Sequence, residues 1–458
     1  MNEDRSHTIE TEEQQLFAWV EAVCAGPIIR SSRVSGGNRA RSWALDVSQA
    51  DGKIAELYLR YSPPRPPSVE PYTLRREALV YRAIADAGLT APRLIAEHPS
   101  LTALLTDRAK GIAEFRRLKD VGAKTRITAQ FMKNLARLHA MDASGVSLEG
   151  GVASSRIIDH VRAELAVWRA MYEETGRRDP LIEFAFAWLH DAPPDPADAP
   201  VLVHGDAGPG NFLFDGDRLT AVIDWELAHL GDPMEDLAWF SMRCVMEPTP
   251  DFTGALRAYA TAAGRKLDRA RILYHRVFVS TRVVVIRHRN VTGEPGASIV
   301  SRALNRRLLV QALSEASGAP VDVASPPVAA PTERDALYAR IADDLQSIVG
   351  ADGVPSVATS AAKNASKILK YLRAFDGNGA NIEAAELGAL RDLLRSDVAD
   401  LANGRARLAD LLARGAIPFK SALAFFARQS TGEALLAAEA SGGIAKRGYP
   451  AITPEALA

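Results

Sequence analysis

The sequence predicts an α+β chain with a small strand-rich N-terminal part, a mainly helical middle and an all-helical C-terminal domain. Three observations carry this. Before residue 111, short apolar-alternating segments sit between Gly and Pro turns, with one helical pattern among them. After it, apolar residues recur mostly at steps of three and four. Between two helical regions lies "SGAPVDVASPPVAAP" (317–331), a Pro-, Ala- and Val-rich stretch that reads as a linker. At 458 residues the chain exceeds one ordinary domain. The expected segments are 1–110, 111–316, the linker 317–331 and 332–458.

Each element has its own reason. Residues 11–24 place Leu16, Val20 and Val23 on one helix face. "RVSGGNRARSWALDV" sets Gly36 and Gly37 in a turn leading into a strand, and "DGKIAELYLRY" is a turn and a second strand, so the two form a hairpin. The proline-rich loop "SPPRPPSVEP" precedes a helix through "LRREALVYRAIADAG", and "LTALLTDRAKG" is a strand broken at Gly111. Ile127, Phe131, Leu135 and Leu138 share one helix face, and Ile158, Val161, Leu165, Trp168 and Tyr172 another. "DAPPDPADAP" breaks that second run. "VLV" and "FLF" are short strands, and "DGD" turns into "LTAVI". Residues 234–315 are helical. Beyond the linker, one stripe runs through Ala361, Ala365, Ile368, Leu372 and Phe375, and another through Leu387, Leu390, Leu394, Val398 and Leu401. Such stripes suit helices packed in a bundle.

Composition excludes more than it selects. Lys and Arg total 55 against 56 Asp and Glu, so global charge argues for neither nucleic acid nor a membrane surface as partner. Cys24 and Cys244 form no disulfide framework, which fits a reducing interior. The polar, acidic N-terminus is unlike a signal peptide, and no run of about 18 apolar residues exists. A cytoplasmic location is expected.

The chemistry concentrates in "VHGDAGPGNFLFDGDRLTAVIDWE". Phosphoryl transfer from a nucleotide needs a carboxylate at the acceptor hydroxyl, oxygen ligands for magnesium and a cation on the phosphates. Asp206 lies in a loop after "VLV". Asn211 follows after four intervening residues, the interval that separates Asp and Asn in the protein-kinase catalytic loop. Asp224 ends an apolar strand that would deliver it to a cleft mouth. An amide beside a carboxylate suits a hard cation already holding phosphate oxygens.

"HGDAGPGNFLFDGDRLTAVIDWELAHLGDPMEDLA" resembles the signature of the aminoglycoside phosphotransferase and choline kinase superfamily. Its continuation after "IDW" is most similar to a bacterial phosphotransferase subgroup related to the kinase-like domain of certain acyl-CoA dehydrogenases. The resemblance spans about residues 14–315 and implies a bilobal protein-kinase-like fold. By the match, Asp206 is the catalytic base, Asn211 and Asp224 hold Mg2+, and ATP or GTP is the donor. His204 would brace the loop, Glu226 would act on the metal indirectly, and Asp232 and Asp236 would cap or tie the next helix.

A nucleotide clamp is expected upstream: the Gly36–Gly37 turn near the phosphates, a strand cation, and a helix acid to pair with it. Most of the superfamily carries Lys on the third strand, whereas this chain has Arg60, whose guanidinium can grip two oxygens. Glu77 is the matching helix acid. Asp107 stands in the strand whose backbone would hold the adenine edge. Leu135, Leu138 and His139 read as packing residues.

The acceptor side is read from charge. Residues 271–310 contain eight arginines, Arg282, Arg287 and Arg289 among them, with Glu294 as the sole acid. That excess would attract an anionic acceptor such as a hydroxy acid or hydroxyacyl-CoA. The competing readings are an aminoglycoside-type antibiotic kinase and a catalytically silent nucleotide-binding scaffold. The C-terminal helices would serve structure, interaction or a homodimer.

Overall fold

The computed structural model describes residues 2–34, 40–290, 295–321 and 332–457. Helix α1 (Asn2–Cys24) begins earlier than its apolar pattern. Leu16 and Val20 are fully buried, but Val23 is 39% exposed, so the predicted apolar face ends at Val20. Strands β1 (Ile28–Val34), β2 (Arg41–Ser48) and β3 (Ile54–Tyr61) follow, then α2 (Leu74–Ile84), β4 (Leu94–Glu97) and β5 (Ala103–Asp107). They form one five-stranded antiparallel sheet ordered β1-β2-β3-β5-β4. Period-two alternation sends Trp43, Leu45 and Val47 of β2, with Leu57, Leu59 and Tyr61 of β3, onto Leu16 and Val20. The four residues of β4 are only half-buried and give no such alternation, and the sequence offers no strand there.

Helix α3 (Val121–His139) buries Ile127, Phe131, Leu135 and Leu138, as their spacing predicts, and starts on an Asp120 cap. Helices α4 (Ile157–Glu173) and α5 (Pro180–Asp191) come next. Strand β6 (Val201–Val203) opens the motif region, and β7 (Phe212–Asp215) and β8 (Arg218–Val222) form the expected hairpin. Gly216 supplies its positive φ of 58°. Strand β9 (His229–Gly231) then pairs antiparallel with β6. Helices α6 (Pro233–Met246), α7 (Phe252–Ala263), α8 (Arg269–Arg289) and α9 (Pro295–Ser317) complete this part. The C-terminal part is all helical: α10 (Asp335–Gly350), α11 (Ser356–Leu394), α12 (Leu401–Ala413), α13 (Phe419–Ser441) and α14 (Pro454–Leu457). The two stripes read at 361–375 and 387–401 lie largely on α11, one 39-residue helix. The α+β class, strand-rich first and all-helical last, is what the structure shows.

Residue contacts divide the chain into two compact units. The first comprises Met1–His160, Pro196–Leu267 and Ile452–Ala458, and therefore holds the five-stranded sheet, β6–β9 and α6. The second comprises Val161–Asp195 and Asp268–Ala451. In it α9 packs on α8, α11 and α13, while α12 packs on α5. Residues assigned from the sequence to the separate segments 111–316 and 332–458 thus share one core. Buried charge stitches it together: Arg306, 4% exposed, donates to Asp179 at 2.6 Å, Glu433 at 2.9 Å and Gln429 at 3.1 Å. Of the linker, residues 322–331 lie outside the described residues.

Candidate active site

The motif loop is held by its backbone and by one buried acid. Gly205 has φ +77°, and a Cβ there would stand 2.2 Å from the Leu227 carbonyl, so only glycine fits. Asp236, fully buried on α6, accepts from the His204 amide at 2.7 Å, the Gly205 amide at 2.9 Å and His139 Nε2 at 3.0 Å. Nδ1 of His139 meets the Tyr259 hydroxyl at 2.7 Å. His139, read as a packing residue, is therefore also a link in a buried polar chain. Asp232 caps α6 by accepting from the Met234 amide at 2.9 Å.

The three motif residues are tied to one another. His204 donates through Nε2 to the Ile223 carbonyl at 3.0 Å, accepts the Asp206 amide on Nδ1 at 3.3 Å, and packs on Trp225. The Ile223 amide donates to the Asn211 carbonyl at 2.9 Å, and Asn211 Nδ2 donates to the Asp206 carbonyl at 2.8 Å. That orientation leaves Asn211 Oδ1 as an acceptor. Asp224, next to Ile223, has φ 66° and ψ 61°, a left-handed backbone that a non-glycine residue adopts only when its surroundings impose it. Two hard oxygen donors, the Asn211 amide and the Asp224 carboxylate, match what Mg2+ takes when phosphate oxygens complete its shell. Among the described residues no three His, Cys, Asp or Glu side chains converge on a metal position.

The Asp206 carboxylate has a partner that the spacing did not announce. Arg243 of α6 donates from Nε to Oδ1 at 2.7 Å and from Nη2 to Oδ2. Burial works against the Arg243 charge, but Asp206 and Asp224 outweigh it and hold its pKa above the ordinary value.

The expected clamp cation and its acid meet. Arg60 on β3 donates from Nη1 to Glu77 on α2, and its Nη2 lies 3.6 Å from Glu226. Burial disfavours the Arg60 charge, yet Glu77, Asp224, Tyr81 and Glu226 together raise its pKa. Burial pushes the Glu77 carboxyl up to about 7, with Arg60 opposing. The neighbouring Arg76 donates to the Glu149 carbonyl and, at 3.2 Å, to the Ala228 carbonyl, so α2 is anchored just beyond Asp224. Asp107 closes β5 with its carboxylate on the Arg93 amide at 2.6 Å. Gly36 and Gly37 lie outside the described residues.

The arginines proposed for the acceptor are placed differently from the expectation. Arg282 is 1% exposed, lies over the Phe278 ring at 4.0 Å and faces Glu164 at 3.6 Å. Arg289 pairs with Glu174 at 2.7 Å, and Arg287 is exposed. Arg276 and Arg306 are likewise paired, with Glu315 and with Asp179 and Glu433. Arg276, Arg282, Arg289 and Arg306 thus each face an acid of the same unit, whereas Arg287 lies on the surface.

A family model described as "Phosphotransferase enzyme family" matches residues 31–273. Acyl-CoA dehydrogenase family member 11 of Homo sapiens is 27% identical over 197 residues, which are 40% of this chain and 25% of that protein. The chain thus spans a quarter of the length of that relative. Hygromycin-B 4-O-kinase of Escherichia coli is 27% identical over 223 residues, 41% of this chain and 62% of that protein. Among solved structures, a macrolide 2'-phosphotransferase from Brachybacterium faecium aligns over 62% of this chain and 95% of its own, at 20% identity and a TM-score of 0.45.

Proposed function

We propose that this chain, a member of the phosphotransferase enzyme family, is a small-molecule kinase that moves the terminal phosphoryl group of ATP or GTP to a hydroxyl with Mg2+. The observation that carries this reading is the closed set of bonds joining Asp206, Asn211 and the residue before Asp224. Asp206 orients the acceptor hydroxyl and takes its proton on a carboxylate oxygen as the oxygen–phosphorus bond forms and the nucleoside diphosphate leaves. Asn211 Oδ1 and the Asp224 carboxylate hold the metal. Magnesium, when bound, supplies charge neutralisation on the phosphate oxygens. Arg60 grips phosphate, and Glu77 and Glu226 fix its fork from two sides. The cytoplasmic location expected from the sequence belongs to the same reading. Among the described residues no helix is long and apolar enough to cross a membrane.

The pairing of Arg282 and Arg289 with acids takes two of the three arginines out of the charge argument for an anionic acceptor and leaves Arg287 exposed. The acyl-CoA dehydrogenase relatives make a hydroxyacyl-CoA the first acceptor to test, and the hygromycin kinase makes an aminoglycoside the second. The experiment is Mg2+-dependent ADP release across hydroxy acids, hydroxyacyl-CoAs, aminoglycosides and choline, with Asp206→Ala as control. Turnover lost in Asp206→Ala while nucleotide binding persists supports the reading. A wild-type chain that binds neither ATP nor GTP with Mg2+ overturns it.

A further inference from the structure

We propose that Arg243 is a positioning residue of the phosphoryl transfer, its guanidinium fork setting the plane of the Asp206 carboxylate. This rests on the reading above, in which Asp206 meets the acceptor. The backbone of Asp206 is fixed at both ends: its amide donates to His204 Nδ1, and its carbonyl accepts from Asn211 Nδ2. Its side-chain torsions are left, and the terminal torsion of a carboxylate is broad and nearly two-fold. A single hydrogen bond would leave that rotation open. Two parallel donors on the two oxygens, Nε on Oδ1 and Nη2 on Oδ2, close it. The loop is built around this contact. Gly208 has φ +142°, and a Cβ there would lie 2.7 Å from the Arg243 Cβ, while one at Gly210 would lie 3.3 Å from Nη1. Both glycines of "DAGPGN" therefore leave the room through which Arg243 reaches Asp206.

The pair is not sealed into a core. Arg243 keeps 28% of its side chain exposed and Asp206 keeps 16%, so the carboxylate is fixed and still reachable. Because Asp206 and Asp224 outweigh burial at Arg243, the guanidinium stays charged and cannot itself serve as the base. Nη1 carries two N–H donors with no hydrogen-bond partner among the described residues, and the fork can hold Asp206 without exhausting its donors.

The test uses the full chain, ATP and Mg2+, with the best acceptor found above. Water serves as a second acceptor, followed as single-turnover phosphate release. Arg243→Ala should lower kcat about 100-fold, the size of effect that small misplacements of a reacting group produce. KM for ATP should stay within about twofold. Millimolar guanidinium chloride should restore at least about tenfold to Arg243→Ala and nothing to wild type, and Arg243→Lys, a point charge without a fork, should lose about tenfold. Should Arg243→Ala not fold, Arg243→Gln carries the same comparison. The inference is overturned if the folded variant keeps kcat within about threefold of wild type. It is equally overturned if the loss falls on KM for ATP, or if neither guanidinium nor Lys restores turnover. Asp206→Asn separates the two claims: a silent Asp206→Asn beside a fully active Arg243→Ala sinks the clamp alone, whereas an active Asp206→Asn sinks the assignment of Asp206.

Discussion

Asp236→Asn is a one-atom change whose cost can be worked from the geometry. One oxygen of the fully buried carboxylate accepts from the His204 amide at 2.7 Å and His139 Nε2 at 3.0 Å, and the other from the Gly205 amide at 2.9 Å. An asparagine offers only one acceptor oxygen. Its better orientation keeps the two-partner oxygen and turns NH2 toward the Gly205 amide, donor against donor. That forfeits one hydrogen bond to a charged group, about 1.5–3 kcal/mol, and strips charge assistance from the other two. The expected loss is about 3–4 kcal/mol, set against a total stability of about 5–15 kcal/mol for a domain. Since the loop that moves carries Asp206, kcat should fall by about 100-fold as well. Urea unfolding reads the stability, and hydrogen exchange at the His204 and Gly205 amides reads the loop. A midpoint shift worth under about 0.5 kcal/mol, with those amides exchanging as in wild type, refutes the reasoning.

Gly205→Ala combines a left-handed φ of +77° with a Cβ placed 2.2 Å from a carbonyl oxygen, and should cost more than about 2 kcal/mol and abolish turnover; a calorimetric Tm near wild type would contradict it. Burial raises the Glu77 carboxyl from an ordinary 4.5 to about 7, so the folded chain binds a proton that the unfolded chain has lost. That contribution is complete below about 4.5 and disappears as pH climbs through about 7. The nucleotide-free protein should therefore weaken from pH 5 to 7, and Glu77→Gln should flatten the trend in urea midpoints; an unchanged slope in the variant rules the account out. Arg306→Met removes a buried guanidinium from the half-buried Asp179 and Glu433 and should destabilise by about 2–3 kcal/mol, whereas Arg287→Met, on an exposed side chain, should do nothing. Equal melting of the two variants would count against this.

What could be read in advance depended on distance along the chain. Asp206, Asn211 and Asp224 share one loop and hairpin, so their spacing alone brings them to one place. Arg60 and Glu77 stand 17 positions apart, and a strand followed by a helix is a short enough path for the pair to be anticipated. Arg243 could not be found that way. It sits 37 residues beyond Asp206, on a helix whose neighbours are almost all apolar and buried. The only trace was indirect: two glycines flanking Pro209, leaving space for a side chain from elsewhere. His139 and Asp236 are 97 positions apart, and an isolated His on an apolar helix face reads as packing. The partners of the arginines were out of reach for a related reason. A run of arginines has a sequence-local charge, but Glu164, Glu174, Asp179, Glu315 and Glu433 come to it from other helices. The shared core of 161–195, 268–317 and helices α10 to α13 was hidden similarly, since apolar periodicity says which face is buried and not what covers it.

Arg76 and Glu77 are adjacent on one short helix and pull in two directions. The first is moored to the carbonyl of Ala228, past the left-handed Asp224, and the second pairs with Arg60 of β3. One short helix thus carries both contacts. A tilt of α2 by a few degrees would therefore strain the Arg76–Ala228 and Glu77–Arg60 contacts together.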